Sequence, residues 1–360
     1  MIPKATTRII DKELKRAKYA SMVVGVVTRN GMVVESYLHD YYKDVDPENL
    51  ILEIGSTTKT FTSTLLSNLV MNNLIQLDDS VVPYVPEYKQ ALSYEGKEVT
   101  FRHLATHTSS LPKDDVKTIR AHMKQDTSLK LNPFQHYSKN SLHEFLTTFR
   151  PSRPIGSKWT YSNIGMALLG IVIERVLDTP FETAIQTRIL NPLDMKNTSF
   201  QVPKANQFRY VKAYTKKGEP IPPIEIPAMN PAGGLRSTLR DMLRFVRFQM
   251  GLRETNLRDS IELSHEGQGI KALKGFEQGI GWMIEQPKWS KYPIIQHSGN
   301  TIGFHTYCGF MKDLEIGVVA VSTIQLNVPR MIKMLVQHDG IINANIANSI
   351  FQHHVRTKNR

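Results

Sequence analysis

A chain of 360 residues, 41% of them hydrophobic and 22% charged, has the composition of an ordinary globular protein with ample apolar material for a core. No window reaches the ~18 uninterrupted apolar residues of a membrane-spanning helix, and the single cysteine, Cys308, excludes an internal disulfide and a cysteine-rich metal site. The formal net charge of +12 raises the question of nucleic acid. The excess is scattered, however: residues 101–160 carry ten Lys/Arg against four Asp/Glu without a basic helix or an aromatic-interleaved stripe. The charge suits anionic partners in general, such as carboxylate-bearing substrates or envelope polymers, and no nucleic-acid partner is expected.

The N-terminus "MIPKATTRIIDKELKRAKYA" lacks the apolar stretch of a secretory leader and reads as a short amphipathic helix on Ile9, Ile10, Leu14 and Ala17. The expected compartment is therefore the cytoplasm, or an extracytoplasmic space if a leader has been cleaved. "SMVVGVVTRNGMVVESYL" (21–38) is two Val-rich runs around Asn30-Gly31, the signature of a tight antiparallel hairpin.

A long helical and looped stretch follows. "TFTSTLLSNLVMNNLI" puts Phe61, Leu65 and Leu69 on one helical face; "NIGMALLGIVIERVLD" (163–178) and "STLRDMLRFVRFQM" (237–250) read as two more buried helices. Between them, the segment from Lys113 to Ser141 is basic and long enough to cover a cleft. Strand grammar returns in "GIGWMIEQ" (279–286), "YPIIQHSG" (292–299), "GFHTYCGFM" (303–311) and "IGVVAVSTI" (316–324). In the third of these runs Cys308 reads as a buried thiol. A helix over roughly 328–352 closes the chain, and "QHHVRTKNR" reads as a solvated tail.

The economical architecture is α+β: one antiparallel sheet built from both chain ends, flanked by helices, with a large mainly helical region inserted. The chain is then a single catalytic unit, its sheet-containing part about 1–52 plus 275–360 and its mainly helical part about 53–274. A pocket belongs where the two parts meet.

Chemistry concentrates at three places. Ser56 and Lys59 are three apart at the start of the first buried helix, so their side chains share a face. A serine hydroxyl needs a base to become a nucleophile. A lysine can serve only if burial or positive charge lowers its pKa, and the flanks "LILEIG" and "TFTSTLL" supply burial while the helix N-terminus supplies positive potential. Ser-x-x-Lys alone recurs by chance in many proteins. A phosphate-binding loop would need glycine where Glu53 and Thr58 stand. Two further stretches decide the matter: "SKWTYSNIGMALLG", with Tyr161 and Asn163 just ahead of a buried helix, and "IIQHSGNTIGF", with His297-Ser298-Gly299 ending an apolar strand.

In that order, with Tyr161 and His297 standing 105 and 241 residues after Ser56, the chain resembles the class C β-lactamases and their relatives, the serine DD-peptidases, D-aminopeptidases and β-lactamase-fold esterases. Their pattern is Ser-x-x-Lys, Tyr-x-Asn, then Lys-Thr-Gly or His-x-Gly. The stretches "FRHLATHTSSLP", "ILNPLDMKNTSF" and "NPAGGLRSTLRDMLRF" also look like this family, so the resemblance runs from about residue 15 to the C-terminus. It implies a serine hydrolase without cofactor or metal, acting on a small-molecule or peptide substrate through an acyl-enzyme on Ser56. Lys59 and Tyr161 would share the base role, and Asn163 would orient Lys59 and bond the substrate amide. Gly299 would let the backbone approach the substrate, Ser298 would bond a substrate carboxylate, and the Asn300 N–H would join that of Ser56 in the oxyanion hole.

His297 departs from the lysine of dedicated β-lactamases and resembles the peptidase and esterase branches. The expected function is therefore a β-lactamase-related peptidase or esterase for a D-amino-acid amide or a carboxylic ester. A true class C-like β-lactamase and a penicillin-binding sensor with little turnover are the alternatives. His103 and His107 have the i, i+4 spacing of metal ligands, but the glutamate of a zinc protease is missing, and structural packing is the expected role. No G-x-S-x-G elbow is present.

Overall fold

In a computed structural model, residues 2–38, 42, 44–325 and 342–358 are described. The Val-rich hairpin forms as strands β1 (Met22–Thr28) and β2 (Gly31–Tyr37), reversing so that Thr28 faces Gly31 across the ladder. A two-stranded element joins β3 (Ile51–Glu53) to β4 (Arg236–Thr238), with Glu53 opposite Arg236. The C-terminal third contributes β5 (Ile270–Leu273), β6 (Phe276–Gln278), β7 (Met283–Glu285), β8 (Ile294–Asn300), β9 (His305–Met311) and β10 (Ile316–Ser322). The eight-stranded antiparallel sheet runs β2-β1-β10-β9-β8-β7-β6-β5, and β1 lies against β10 with Met22 paired to Ser322. The expected α+β architecture, an antiparallel sheet from both chain ends flanked by helices, is what the chain adopts.

Helices α1 (Lys4–Leu14), α2 (Thr58–Met71), α3 (Asn163–Leu177), α4 (Leu239–Gln249), α5 (Arg258–His265) and α6 (Ile342–Lys358) are the principal ones. The sheet is covered on both faces, and the period of two decides which core each side chain enters. Met22, Val24, Val318 and Ala320 pack with Ile10 of α1 and with Ile346, Ile350 and Phe351 of α6. Their neighbours Val23, Val27, Val319 and Val321 enter the larger core with Leu243 of α4 and Phe61 of α2.

Helix α2 is buried from Thr58 to Leu69, and Phe61 stacks on Phe245 with ring centroids 4.1 Å apart. A helix buried all round must hide its polar side chains. Thr60 and Thr64 do so by donating to carbonyls of the preceding turn, each at 2.8 Å, and Thr62 donates to the Pro231 carbonyl at 2.7 Å.

Two readings of the sequence are corrected. The hairpin of β5 and β6 went unseen, because its strands are short and not alternating. The closing residues are no solvated tail: α6 continues to Lys358, Val355 is buried, and the Lys358 ammonium donates to the Leu314 carbonyl at 3.1 Å. The first part of the expected closing helix, up to residue 341, lies outside the described residues. Among the described residues, no helix is long and apolar enough to cross a membrane.

Candidate active site

The apolar run ahead of Ser56 forms β3 and then turns sharply. Gly55, at φ +49°, sits where the turn presses on the end of β8, and a Cβ there would stand 2.8 Å from the Asn300 amide nitrogen. Gly55–Thr57 is a single 3-10 turn that feeds α2, so Ser56 stands at the mouth of a buried helix. Lys59, one turn on, has no solvent-exposed surface. Its Nζ donates to Ser56 Oγ at 3.1 Å, to Asn163 Oδ1 at 2.8 Å and to the Ala232 carbonyl at 2.6 Å.

Three acceptors are enough for an ammonium, yet burial pushes its pKa down to about 7; Asp114 opposes the shift and Lys113 adds to it. Desolvation, the first of the two causes expected from the flanks, dominates.

Tyr161 and Asn163 are brought to this lysine by a strap formed between residues 107–113 and 160–163. The Thr160 N–H donates to the His107 carbonyl and the Ser162 N–H to His107 Nδ1; Ser162 Oγ donates to the Pro112 carbonyl and the Asn163 N–H to that of Lys113. Ser162 also caps α3, accepting from the Gly165 N–H at 2.8 Å. The Tyr161 ring lies 4.8 Å from Lys59 Nζ, measured to its centroid, and 4.6 Å from the His107 ring. Burial raises the Tyr161 phenol above its ordinary pKa of 10, Asp114 raises it further, and hydrogen bonding to Ser56 opposes both. Burial thus favours the protonated phenol over the phenolate.

His107 is held well below its ordinary pKa, by burial first and then by Lys59 and His297. With Nδ1 accepting a main-chain hydrogen bond, it is a neutral platform under Tyr161. His103 forms a capping box with Thr100 at the start of the helix Phe101–Ala105. Both histidines thus have structural work.

The facing wall is the end of β8. Its neighbour β7 pairs with Ile294–Gln296 and no further, so among the described residues no strand pairs the β7-side edge of residues 297–300. Ser298 and Asn300 alternate toward solvent, while His297 and Gly299 are buried. His297 Nδ1 donates to the Ser298 carbonyl at 2.7 Å, and burial, reinforced by Lys59, lowers its pKa to about 3. It is a neutral ring, as its replacement of lysine suggested. The room left by Gly299 is taken by the protein itself: a Cβ would stand 2.0 Å from the Ile54 carbonyl oxygen. This glycine seats the serine turn on the strand, because a side chain here would run into the main chain at Ile54, just after β3. The Asn300 side-chain oxygen accepts from His305 Nδ1 at 2.6 Å.

Two contributors escaped the sequence reading. Asp114 Oδ1 accepts from Asn163 Nδ2 at 2.8 Å and extends the chain Ser56–Lys59–Asn163 by one more bond. It stands near the start of the basic segment Lys113 to Ser141, which contains the helix Val116–Gln125, capped by Asp115, and the 3-10 turn Thr127–Leu131. Glu53, buried three residues before Ser56, accepts from the Tyr210 hydroxyl (2.5 Å), the Ile224 N–H (2.7 Å) and the Thr301 hydroxyl (2.5 Å). It ties the serine turn to the end of β8. A carboxylate inside "LILEIG" was a usable signal; an acid in the turn "PKDD" was not.

These features have counterparts elsewhere. A family profile described as Beta-lactamase matches residues 6–337. The chain is 26% identical to a beta-lactamase of Lysobacter lactamgenus over 92% of either chain. It is also 26% identical to the D-alanyl-D-alanine-carboxypeptidase/endopeptidase AmpH of Escherichia coli K12, over 89% of this chain and 85% of the relative. A class C beta lactamase structure from Rhodobacter sphaeroides superimposes with a TM-score of 0.79, covering 98% of this chain and all of the other at 20% identity, a likeness of fold. The profile covers nearly the whole sequence, and the chain belongs to the beta-lactamase family as a β-lactamase-related serine hydrolase.

Proposed function

We propose that Ser56 is the nucleophile of an acyl-transfer hydrolase whose substrate is an ester or an amide next to a D-amino acid. The observation that carries this reading is the contact of the buried Lys59 Nζ with Ser56 Oγ at 3.1 Å, with the lysine's pKa brought down to about 7. Burial thus makes the neutral amine accessible near neutral pH, and the neutral amine takes the Ser56 proton as the hydroxyl attacks the carbonyl. The Tyr161 phenol, still protonated, hands a proton to the leaving group and recovers one from the Lys59 ammonium. Water then attacks the acyl carbon, losing its proton to the neutral Lys59, and Ser56 Oγ departs with that proton as the acid is released. Asn163 holds the lysine in place. The Ser56 and Asn300 N–H groups receive the oxyanion, a role taken from the family resemblance. Residues about 1–52 plus 275–360 and about 53–274 form one catalytic unit, with the serine turn on one part and residues 297–300 on the other.

The neutral His297 favours the peptidase or esterase branch over an efficient β-lactamase, because the strand offers a substrate carboxylate no fixed cation. The name of the Escherichia coli relative supports the peptidase side.

The test is intact-mass spectrometry of wild type and Ser56→Ala with benzylpenicillin, sampled from seconds to hours, alongside hydrolysis of a phenyl ester. We expect a persistent adduct of the whole drug mass on wild type alone, and ester hydrolysis lost in Ser56→Ala. An adduct or full turnover in Ser56→Ala overturns the nucleophile, and rapid destruction of the drug overturns the peptidase or esterase assignment.

A further inference from the structure

We propose that the layer formed by α1, α6 and the turn between β7 and β8 is a docking face for anionic phospholipid headgroups, so that the protein binds negatively charged bilayers by charge alone. The inference is independent of the acyl-enzyme reading, since none of its residues belongs to the cleft.

Charge that is scattered along the sequence is gathered by the fold. Helix α1 lies on the outer face of the sheet, with Thr6 and Ile10 buried and Thr6 Oγ1 standing 2.8 Å from Ser349 Oγ of α6. Burying that side turns the opposite side to solvent. There Lys4, Arg8 and Lys12 follow at intervals of four, Lys15 continues the row, and all four are exposed. At 1.5 Å per residue the row is about 16 Å long, and Asp11 is its one acid. Arg16 and Lys18 extend the positive surface past the helix end. Helix α6 contributes Arg356 and Lys358 and contains no acid. In residues 287–293, whose Trp289 and Tyr292 pack against the same outer core, Lys288 and Lys291 are exposed and again no acid is present. Residues 4–18, 287–293 and 342–358 thus hold ten Lys/Arg against two Asp/Glu, a surplus of eight in a chain whose net charge is +12. Among the described residues no carboxylate pairs with any of the ten.

The mode of binding follows from what the helix has already buried. The apolar side of α1 is used against the sheet, so α1 cannot sink into the acyl region as a free amphipathic helix does. Contact is confined to the headgroups and is screened by salt. Each Lys or Arg held near an anionic bilayer strengthens partitioning about fivefold. Spread over two helices and a turn, these cations match an extended plane of phosphates. A duplex instead presents its phosphates along narrow ridges and is read by elements that enter its grooves. The serine turn and α2 pack with the larger core, through Ile54 and Phe61, on the other face of the sheet. A bilayer held against α1 and α6 therefore does not lie over Ser56.

The measurement is co-sedimentation of the full chain with vesicles of phosphatidylcholine, or of phosphatidylcholine and phosphatidylglycerol in equal parts. Wild type is expected to pellet with the mixed vesicles at about 50 mM sodium chloride, to be released at about 500 mM, and to stay in solution with phosphatidylcholine alone. Lys4→Gln, Arg8→Gln, Lys12→Gln and Lys15→Gln combined should lower partitioning at least about a hundredfold. These positions are exposed, glutamine is a good helix former, and an unchanged circular dichroism spectrum and melting temperature report that the fold is kept. The control combines Lys117→Gln, Arg120→Gln, Lys124→Gln and Lys130→Gln, which removes the same charge from exposed positions on the helix Val116–Gln125 and the turn after it. It should stay within about threefold of wild type, because the docking face is intact. Equal pelleting with both kinds of vesicle, retention at high salt, or an equal loss in both variants overturns the docking face. A short DNA duplex bound more tightly than the mixed vesicles, and released by the α1 changes, also overturns it and assigns the face to nucleic acid.

Discussion

The wall that carries Ser56 and Lys59 is polar, its buried lysine bonded on three sides, whereas the wall of residues 297–300 bears no charge and has one main-chain edge that β7 does not pair. Each holds a buried titratable side chain, Lys59 or His297, yet burial does different things to the two. On the serine wall it brings a lysine to the pH at which it can both lose and regain a proton. On the strand wall it silences a histidine that would otherwise titrate near neutrality. Reactivity is concentrated on one side, and the other is left to shape and main-chain recognition.

The largest test of that contrast is Lys59→Met. Removing the base is expected to cost about a thousandfold in kcat/KM. In wild type the acylation rate should climb as pH rises through about 7, since the amine is competent only above its pKa. A rate flat between pH 6 and 8 would sink the division of labour. Next comes the link between the walls. Glu53→Ala strands the Tyr210 and Thr301 hydroxyls and the Ile224 N–H in the interior, at a cost of about 2–3 kcal/mol by chemical denaturation. Glu53→Gln, which keeps an oxygen, should lose less. Equal stability of wild type and Glu53→Ala would show that the two walls are held together without it. The smallest effect is sought in His297→Lys. A cation on the strand wall should lower KM about fivefold for substrates with a free carboxylate on the leaving group. It should leave neutral esters unchanged, and a shift in both would mean that His297 shapes the pocket.

What could be read in advance divides along similar lines. Period-two and helical patterns, the Asn30-Gly31 reversal and three short motifs announce themselves in one dimension. β5 and β6 do not, because "IKAL" and "FEQ" are too short and too polar to alternate, and the Gly275 turn between them carries the only signal. The end of α6 hides for a related reason: His353 and His354 precede a single buried valine. That Gly299 also receives the main chain at Ile54 is a fact of packing that a strand glycine in one dimension does not announce. Asp114 is found only through its contact with Asn163, which the fold creates and no spacing encodes.

The pairing of β1 with β10 has a consequence for biosynthesis. By the time a ribosome has added residue 250, Ser56, Lys59, Tyr161 and Asp114 all exist, but neither residues 297–300 nor the partner of the first strand has been made. The nascent hairpin must wait with one exposed edge for almost three hundred residues. Hydrolytic chemistry is thereby withheld until synthesis is nearly done, and the last strand to enter the sheet is the one that seals the first.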